Sequence, residues 1–108
     1  MRAIKFRMFE HKSGKMFYDC YPTQAVLSLV DLAWMQFTGL CDKNGKEIFQ
    51  SDLIRDDAGY LWEVSDGYDG FYLLSREENL RPDRGIFERY KYLSVIGNVY
   101  ENPELITL

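Results

Sequence analysis

At 108 residues and 12.8 kDa, the chain is long enough for one domain, residues 1–108, to bury a core of its own without disulfide staples. Its 46% hydrophobic and 28% charged residues exclude a disordered or collagen-like polymer. The net charge of −4 and pI near 4.9 argue against a protein whose affinity comes from neutralising phosphates, so nucleic acid is a disfavoured partner.

The charge is unevenly spread. Arg2, Lys5, Arg7, Lys12 and Lys15 stand against Glu10 alone in the first 15 residues, a balance of +4, and the remainder carries −8. A solvated strand face is the ordinary use of such cations; the alternative is pairing with acidic loops, within one subunit or on a neighbour. No run approaches the ~18 apolar residues of a membrane span, since the apolar stretch over 25–35 is broken by Ser28 and Asp31. The N-terminus has no apolar signal core. Cys20 and Cys41, without a CxxC or partnering histidines, read as buried thiols in a reducing compartment. The expectation is a cytoplasmic protein with no membrane partner.

In chain order, residues 2–8 alternate, with Ile4, Phe6 and Met8 on one face and Lys5 and Arg7 on the other, the pattern of a half-buried strand with its cations outward. Ser13-Gly14 turns the chain, and Met16, Tyr18 and Cys20 return as a second strand closed by Pro22. Val26, Leu29, Val30, Ala33 and Phe37 fit helical spacing behind a Thr23 cap, while Met35 and Phe37 also alternate; a short helical turn followed by a strand from about Ala33 satisfies both patterns. Residues 42–46, Asp-Lys-Asn-Gly-Lys, form a turn. Short strands follow over 47–49 and 53–55, separated by a bend at Ser51-Asp52. Residues 56–59 turn into a strand over 60–65, on which Tyr60, Trp62 and Val64 share a face. Residues 66–70 make a hairpin loop, and 71–74 return. Ser75 and Glu78 have capping-box spacing for a helical turn to Leu80. Late strands are expected over 86–93 and 95–100, with Gly97 at a bulge or close approach, and Asn102-Pro103-Glu104 opens a terminal turn. The fold expected is mostly β, a small barrel-like or sandwich domain of short antiparallel strands with one or two helical turns.

Groups for chemistry are sparse. Asp56, Asp57, Asp66 and Asp69 are the metal candidates by residue type, but their spacing fails an EF-hand loop, and Asp and Gly are what hairpin turns prefer. His11, the only histidine, sits beside Lys12-Ser13-Gly14 with no orienting group nearby, so a surface position is favoured over a general base. The glycines form neither a GxGxxG nor a P-loop. These features predict no enzyme, no cofactor and no metal. Arg81, Arg84, Phe87, Arg89, Tyr90 and Lys91 interleave cations with rings, as small barrels that bind single-stranded nucleic acid do. On a strand, Phe87, Arg89 and Lys91 would share one face and Tyr90 and Tyr92 the other. Asp83 and Glu88 dilute the charge, and this remains the alternative.

The central run 35–55, Met-Gln-Phe-Thr-Gly-Leu-Cys-Asp-Lys-Asn-Gly-Lys-Glu-Ile-Phe-Gln-Ser-Asp-Leu-Ile-Arg, resembles the signature of the YopX family. The start, Arg2-Ala3-Ile4-Lys5-Phe6-Arg7, and the end, 95–105 through Val95, Ile96, Gly97, Asn98, Val99 and Tyr100, agree with it in the same order. The resemblance implies a mostly β fold, assembly as a homo-oligomer, and an accessory role for a bacteriophage or prophage in the host cytoplasm, without an assigned biochemical activity. The chain departs from the family pattern at Gln50, usually Glu, and at Ser51, usually Gly; the serine predicts that the bend needs no positive φ.

Each motif residue has a structural task open to it. Asp42 can accept amides of its own turn beside Asn44, and Gly45 can take the left-handed position. Gln36 and Thr38 can satisfy neighbouring backbone, and Asp52 can accept amides across the bend. With Gly39, Glu47, Gly97 and Asn98 these residues read as scaffold rather than active site. The expectation is a non-enzymatic accessory protein working as an oligomeric protein-interaction module, with an unknown phage or host protein as partner. Docking of the basic N-terminal strand on a neighbour's acidic loops would make the assembly salt-sensitive.

Overall fold

The computed structural model describes residues 4–21, 31–67, 70–76, 85 and 90–106. Eight strands, β1 (Phe6–Glu10), β2 (Lys15–Cys20), β3 (Leu32–Cys41), β4 (Glu47–Phe49), β5 (Asp52–Arg55), β6 (Leu61–Gly67), β7 (Gly70–Ser75) and β8 (Ser94–Asn98), form two antiparallel sheets. The first has the order β2-β1-β3-β4 and the second β7-β6-β5-β8. Gln50 and Ser51 join one sheet to the other, between β4 and β5. The mostly β expectation holds, and the only helical pieces among the described residues are 3-10 turns at Tyr90–Tyr92 and Pro103–Leu105.

The orientation of β1 is the reverse of what alternation suggests. Arg7 and Phe9 are buried, at 3% and 7% exposure, while Phe6 and Met8 are half-buried on the other face. There Met8 pairs with Trp34 across the ladder, and the Phe6 ring meets Trp34 edge-on at 6.4 Å. Large apolar side chains at 6, 8 and 9 put hydrophobic groups on both faces. What selects the inner one is the carboxylate of Asp52 waiting in the second sheet.

The core gathers Ile48, Ile54, Trp62, Val64, Phe71, Leu73 and Leu93, with Leu40, Tyr90 and Val95 packed against it. Each such side chain contributes roughly 1.5–3 kcal/mol on full burial. β4 carries Ile48 and Phe49 on opposite faces and buries both, so a three-residue strand is held from two sides.

Irregularities in the ladders fall where the chain changes direction. Asp19, with φ 58°, is the extra residue of a bulge that pairs Phe6 with Cys20 and Arg7 with Tyr18. On β8, Leu53 pairs with Gly97 but Ile54 with Val95, leaving Ile96 bulged. A Cβ on Gly97 would lie 2.5 Å from Asn102 Oδ1, the atom that accepts the Asn98 amide at 3.1 Å. The bulge and the close approach expected at Gly97 are therefore both present. The 103–105 turn forms as expected, although Asn102 directs its side chain back to this strand instead of capping the turn.

Other expectations are corrected. Residues 90–92 form a 3-10 turn rather than the end of a strand, and β8 stops at Asn98 rather than residue 100. Cys20 is half-buried and Cys41 exposed, so neither is a core thiol. β3 begins at Leu32, close to the expected start; the helical turn ahead of it, the tip of the 66–70 loop and the turn from Glu77 to Leu80 lie outside the described residues.

Ser51 is the most informative correction. Its φ is 73°, so the bend does require the left-handed conformation despite the serine. Its amide donates to Val64 O at 2.8 Å and its carbonyl accepts from Val99 N at 3.1 Å. Tertiary hydrogen bonds impose the conformation that a side chain disfavours. Ser51→Gly is expected to stabilise the protein by roughly 1 kcal/mol, a rise of about 4–8 °C in melting temperature for a domain of this size. Thermal unfolding followed by circular dichroism checks it; an unchanged or lower midpoint would show that the bend carries no strain.

Candidate functional site

The charged centre of the molecule is an ion pair between the sheets. Arg7 Nη2 donates to Asp52 Oδ1 at 2.8 Å and to the Gln50 carbonyl at 3.2 Å, and Arg7 Nε points to Met35 Sδ at 3.3 Å. The guanidinium lies 4.7 Å from the centre of the Phe49 ring. Asp52 Oδ2 accepts the Phe49 amide at 2.7 Å. Both side chains are almost wholly buried, at 4% and 2% exposure. Burial pushes the Asp52 carboxyl up to about 6, with the Arg7 charge and the Phe49 amide pulling the other way. No pocket opens on this pair among the described residues, and its bonds tie the two sheets together.

The other motif residues are likewise engaged with the chain itself. Asp42 Oδ1 accepts the amides of Asn44 and Lys46 at 2.8 and 2.9 Å, closing the turn in which Gly45 has φ 82°. Its second oxygen accepts the amide of Val95 at 2.9 Å. Lys43 N to Leu93 O at 3.0 Å and Asn44 Nδ2 to Ser94 Oγ at 3.4 Å complete a clamp between this turn and the start of β8. Thr38, fully buried, donates to the Ile48 carbonyl at 2.7 Å and accepts from Leu40 N at 3.2 Å. Its hydroxyl replaces ladder bonds where β3 bulges, next to Gly39 at φ 90°. Gln36 works through its backbone, whose carbonyl accepts from Gln50 N at 2.9 Å. Glu47 pairs with Lys5. Asn98 Oδ1 accepts from Tyr100 and Glu101 at 3.1 and 2.8 Å, and its amide reaches Glu101 Oε1 at 2.8 Å.

That last turn sets Tyr100 on Phe9, ring centroids 5.3 Å apart and stacked. The exposed His11 ring stands edge-on to both, at 5.2 and 5.6 Å, and is an aromatic neighbour with no catalytic partner among these contacts. Asp56, the first of the metal candidates, accepts Ala58 N and Tyr60 N on Oδ1 at 2.9 and 2.8 Å and Trp62 Nε1 on Oδ2 at 2.9 Å. Asp57 and Asp66 are exposed, and Asp69 lies outside the described residues. Among the described residues, no three His, Cys, Asp or Glu side chains converge as metal ligands would.

Of the basic and aromatic candidates, Arg81, Arg84, Phe87 and Arg89 lie outside the described residues. Tyr90 and Lys91 share the 3-10 turn, with the ammonium 5.9 Å from the Tyr90 ring. The strand alternation that would put Lys91 and Tyr90 on opposite faces is absent there.

Sequence reasoning found the strand β2 but not its place at a sheet edge with its rings exposed. Phe17 and Tyr18 are 40% and 52% exposed, and Tyr21 and Ile4 at the same end of the sheet are 65% and 68% exposed. Two adjacent aromatics cannot both face inward on a strand; that adjacency was the available signal. The pairing of Lys5 with Glu47 and of Arg7 with Asp52 was missed because the partners lie more than 40 residues apart in the chain.

The YopX family model, described as YopX protein, matches residues 7–107, and the chain belongs to that family. The crystal structure of protein EF1440 from Enterococcus faecalis is similar to it at a TM-score of 0.73, over 99% of this chain and 100% of that one, with 23% sequence identity. That likeness is one of fold. No curated protein matches the chain.

The ion pair makes stability depend on pH with a definite sign. The folded Asp52 pKa of about 6 lies above the ordinary value of about 3.9 for an unfolded Asp. The native state therefore holds the extra proton, and this group's contribution is complete below about pH 4 and falls as pH rises towards 6. Arg7→Met removes the cation that favours the carboxylate. A destabilisation of about 3–5 kcal/mol is expected at pH 8, and a smaller one at pH 5, where Asp52 takes up a proton. Urea unfolding at the two pH values checks it; an equal loss at both would mean that Asp52 does not titrate in this range.

Proposed function

We propose that this YopX-family protein is a non-enzymatic phage or prophage accessory protein that acts in the host cytoplasm as an oligomeric protein-interaction module. The observation that carries this reading is the division of labour among its side chains. The motif residues that have chemical groups to offer are engaged in internal bonds, from Arg7 and Asp52 to Asp42, Thr38 and Asn98. The surface instead presents aromatic rings, among them Tyr21, Tyr92, Tyr18 and Phe17. Aromatic side chains offer large contact areas at small entropic cost and suit protein contacts better than a reaction on a small molecule.

Arg7 is committed to Asp52 and Lys5 to Glu47 within one chain, which leaves fewer of the N-terminal cations for a salt-sensitive docking on a neighbour. An interface built on exposed rings fits the pattern better. Size-exclusion chromatography with light scattering, read at 260 and 280 nm together, tests the proposal. A discrete multiple of the 12.8 kDa chain without excess absorbance at 260 nm is expected. A monomer, or a species that carries nucleic acid, would overturn it.

A further inference from the structure

Asn44-Gly45 is the only Asn-Gly step in the chain. An asparagine side chain can react with the main-chain nitrogen of the residue that follows it. Glycine leaves that nitrogen least hindered, because it has no Cβ and the freest backbone. The other asparagines among the described residues are poorly placed for this chemistry. Asn98 is 5% exposed, is followed by the branched Val99, and has both amide atoms engaged with Tyr100 and Glu101. Asn102 precedes Pro103, whose nitrogen carries no hydrogen to lose. Asn44 and Gly45 are both exposed. Beyond the adjacent residues, nothing lies within 4 Å of the point where a Cβ on Gly45 would stand.

The turn itself opposes the reaction. The Gly45 amide donates to the Asp42 carbonyl at 3.0 Å, so the nitrogen that would attack is already engaged. Asp42 holds the turn shut with both carboxylate oxygens. Oδ1 accepts the amides of Asn44 and Lys46, and Oδ2 accepts that of Val95 at the start of β8. The Asn44 side chain is drawn to the same strand, its Nδ2 donating to Ser94 Oγ at 3.4 Å. The two reacting groups are thus occupied elsewhere, and they meet only when the turn releases both.

We propose that Asn44 is a site of spontaneous deamidation, gated by the clamp that Asp42 forms between this turn and β8. In the open turn the Gly45 nitrogen attacks Asn44 Cγ. The new N–Cγ bond forms, the Cγ–Nδ2 bond breaks, and the proton from the Gly45 nitrogen leaves with the amino group as ammonia. Water then opens the resulting five-membered imide at either carbonyl. The product is aspartate at position 44, or the isomer whose main chain runs through the side-chain carbon.

Neither product closes the turn as before. The isomer inserts a carbon between the amides of residues 44 and 46, which share Asp42 Oδ1 as acceptor. Both products set a new carboxylate near that of Asp42 and remove the amide donated to Ser94. Each change weakens the hold of this turn on β8. Water does not reverse the step, so openings of the turn accumulate as a lasting loss at one link between the sheets.

The full chain, incubated at pH 8 in buffer and in denaturing urea, tests this. Peptide mapping by mass spectrometry follows the amide-to-acid mass gain at each asparagine. Asn44 should deamidate ahead of Asn98 and Asn102, and roughly tenfold or more slower in the folded chain than in urea, because it reacts only from the open turn. Asp42→Ala should bring the folded rate close to the unfolded one. If that variant does not fold, hydrogen exchange at the Gly45 amide of the wild type reads the opening directly. The folded deamidation rate should then equal the unfolded rate multiplied by the open fraction. Aged protein should melt about 4–8 °C below fresh protein. Asn44 left intact in urea, equal rates folded and unfolded, or a Gly45 amide without protection would overturn the gated site. Aged protein that melts with the fresh would overturn the weakened link.

Discussion

A guanidinium and a carboxylate withdrawn from water constrain everything around them. Each must find its partner at close range, because an isolated buried charge costs more than most single contacts return. Arg7 and Asp52 meet this requirement between two sheets, at 2.8 Å, and the demand propagates. For Arg7 to point inward, β1 must turn its Arg7 and Phe9 face to the second sheet and leave Phe6 and Met8 on the other side. For Asp52 to receive it, the chain must bend sharply after β4, which holds Ser51 at φ 73°. The Phe49 amide and ring close the pair from the same bend.

Two further links join the sheets, one through a polar side chain of one sheet's turn that holds backbone of the other and one through a ring stack that a side-chain-bonded turn sets in place. Asp42 spends one oxygen on its own turn and the other on Val95 at the start of β8. Asn98 organises the turn after β8 so that Tyr100 stacks on Phe9 of β1. Hydrophobic burial is directionless and would tolerate several relative placements of two small sheets. Charged and amide groups with fixed hydrogen-bond geometry do not. Asp42 and Asp52 of the family motif are thus intelligible as inter-sheet fastenings, while Thr38 secures the bulged ladder within one sheet.

How much of this was legible in the chain follows from the range of the interactions. The turn at 42–46, the bend at Ser51-Asp52 and the bulge at Gly97 were readable because Asp, Asn and Gly reveal local backbone geometry within a few residues. Thr38 and Asp42 were readable as backbone-satisfying groups, though the Val95 amide that Asp42 also holds was not. The facing of β1 was misread because Arg7 looks like a surface residue until Asp52, 45 residues later, is placed beside it. The Ser51 conformation was misread because a serine normally avoids it; Val64 and Val99 supply the hydrogen bonds that override that preference. The two cysteines were expected inside by residue type alone, and the ends of β2 and β3 carry them outward.

By itself, then, the sequence determined the strand-rich character, the positions of most turns and the family, because periodicity and turn chemistry act over a handful of neighbouring residues. Only the tertiary structure decided which face of β1 is buried, which backbone strain is tolerated, and which edge strand is left carrying Phe17 and Tyr18 to the surface. Those outcomes depend on groups 13 or more residues apart, such as Ser51 with Val64 or Arg7 with Asp52, and nothing in the local pattern of either partner specifies the other.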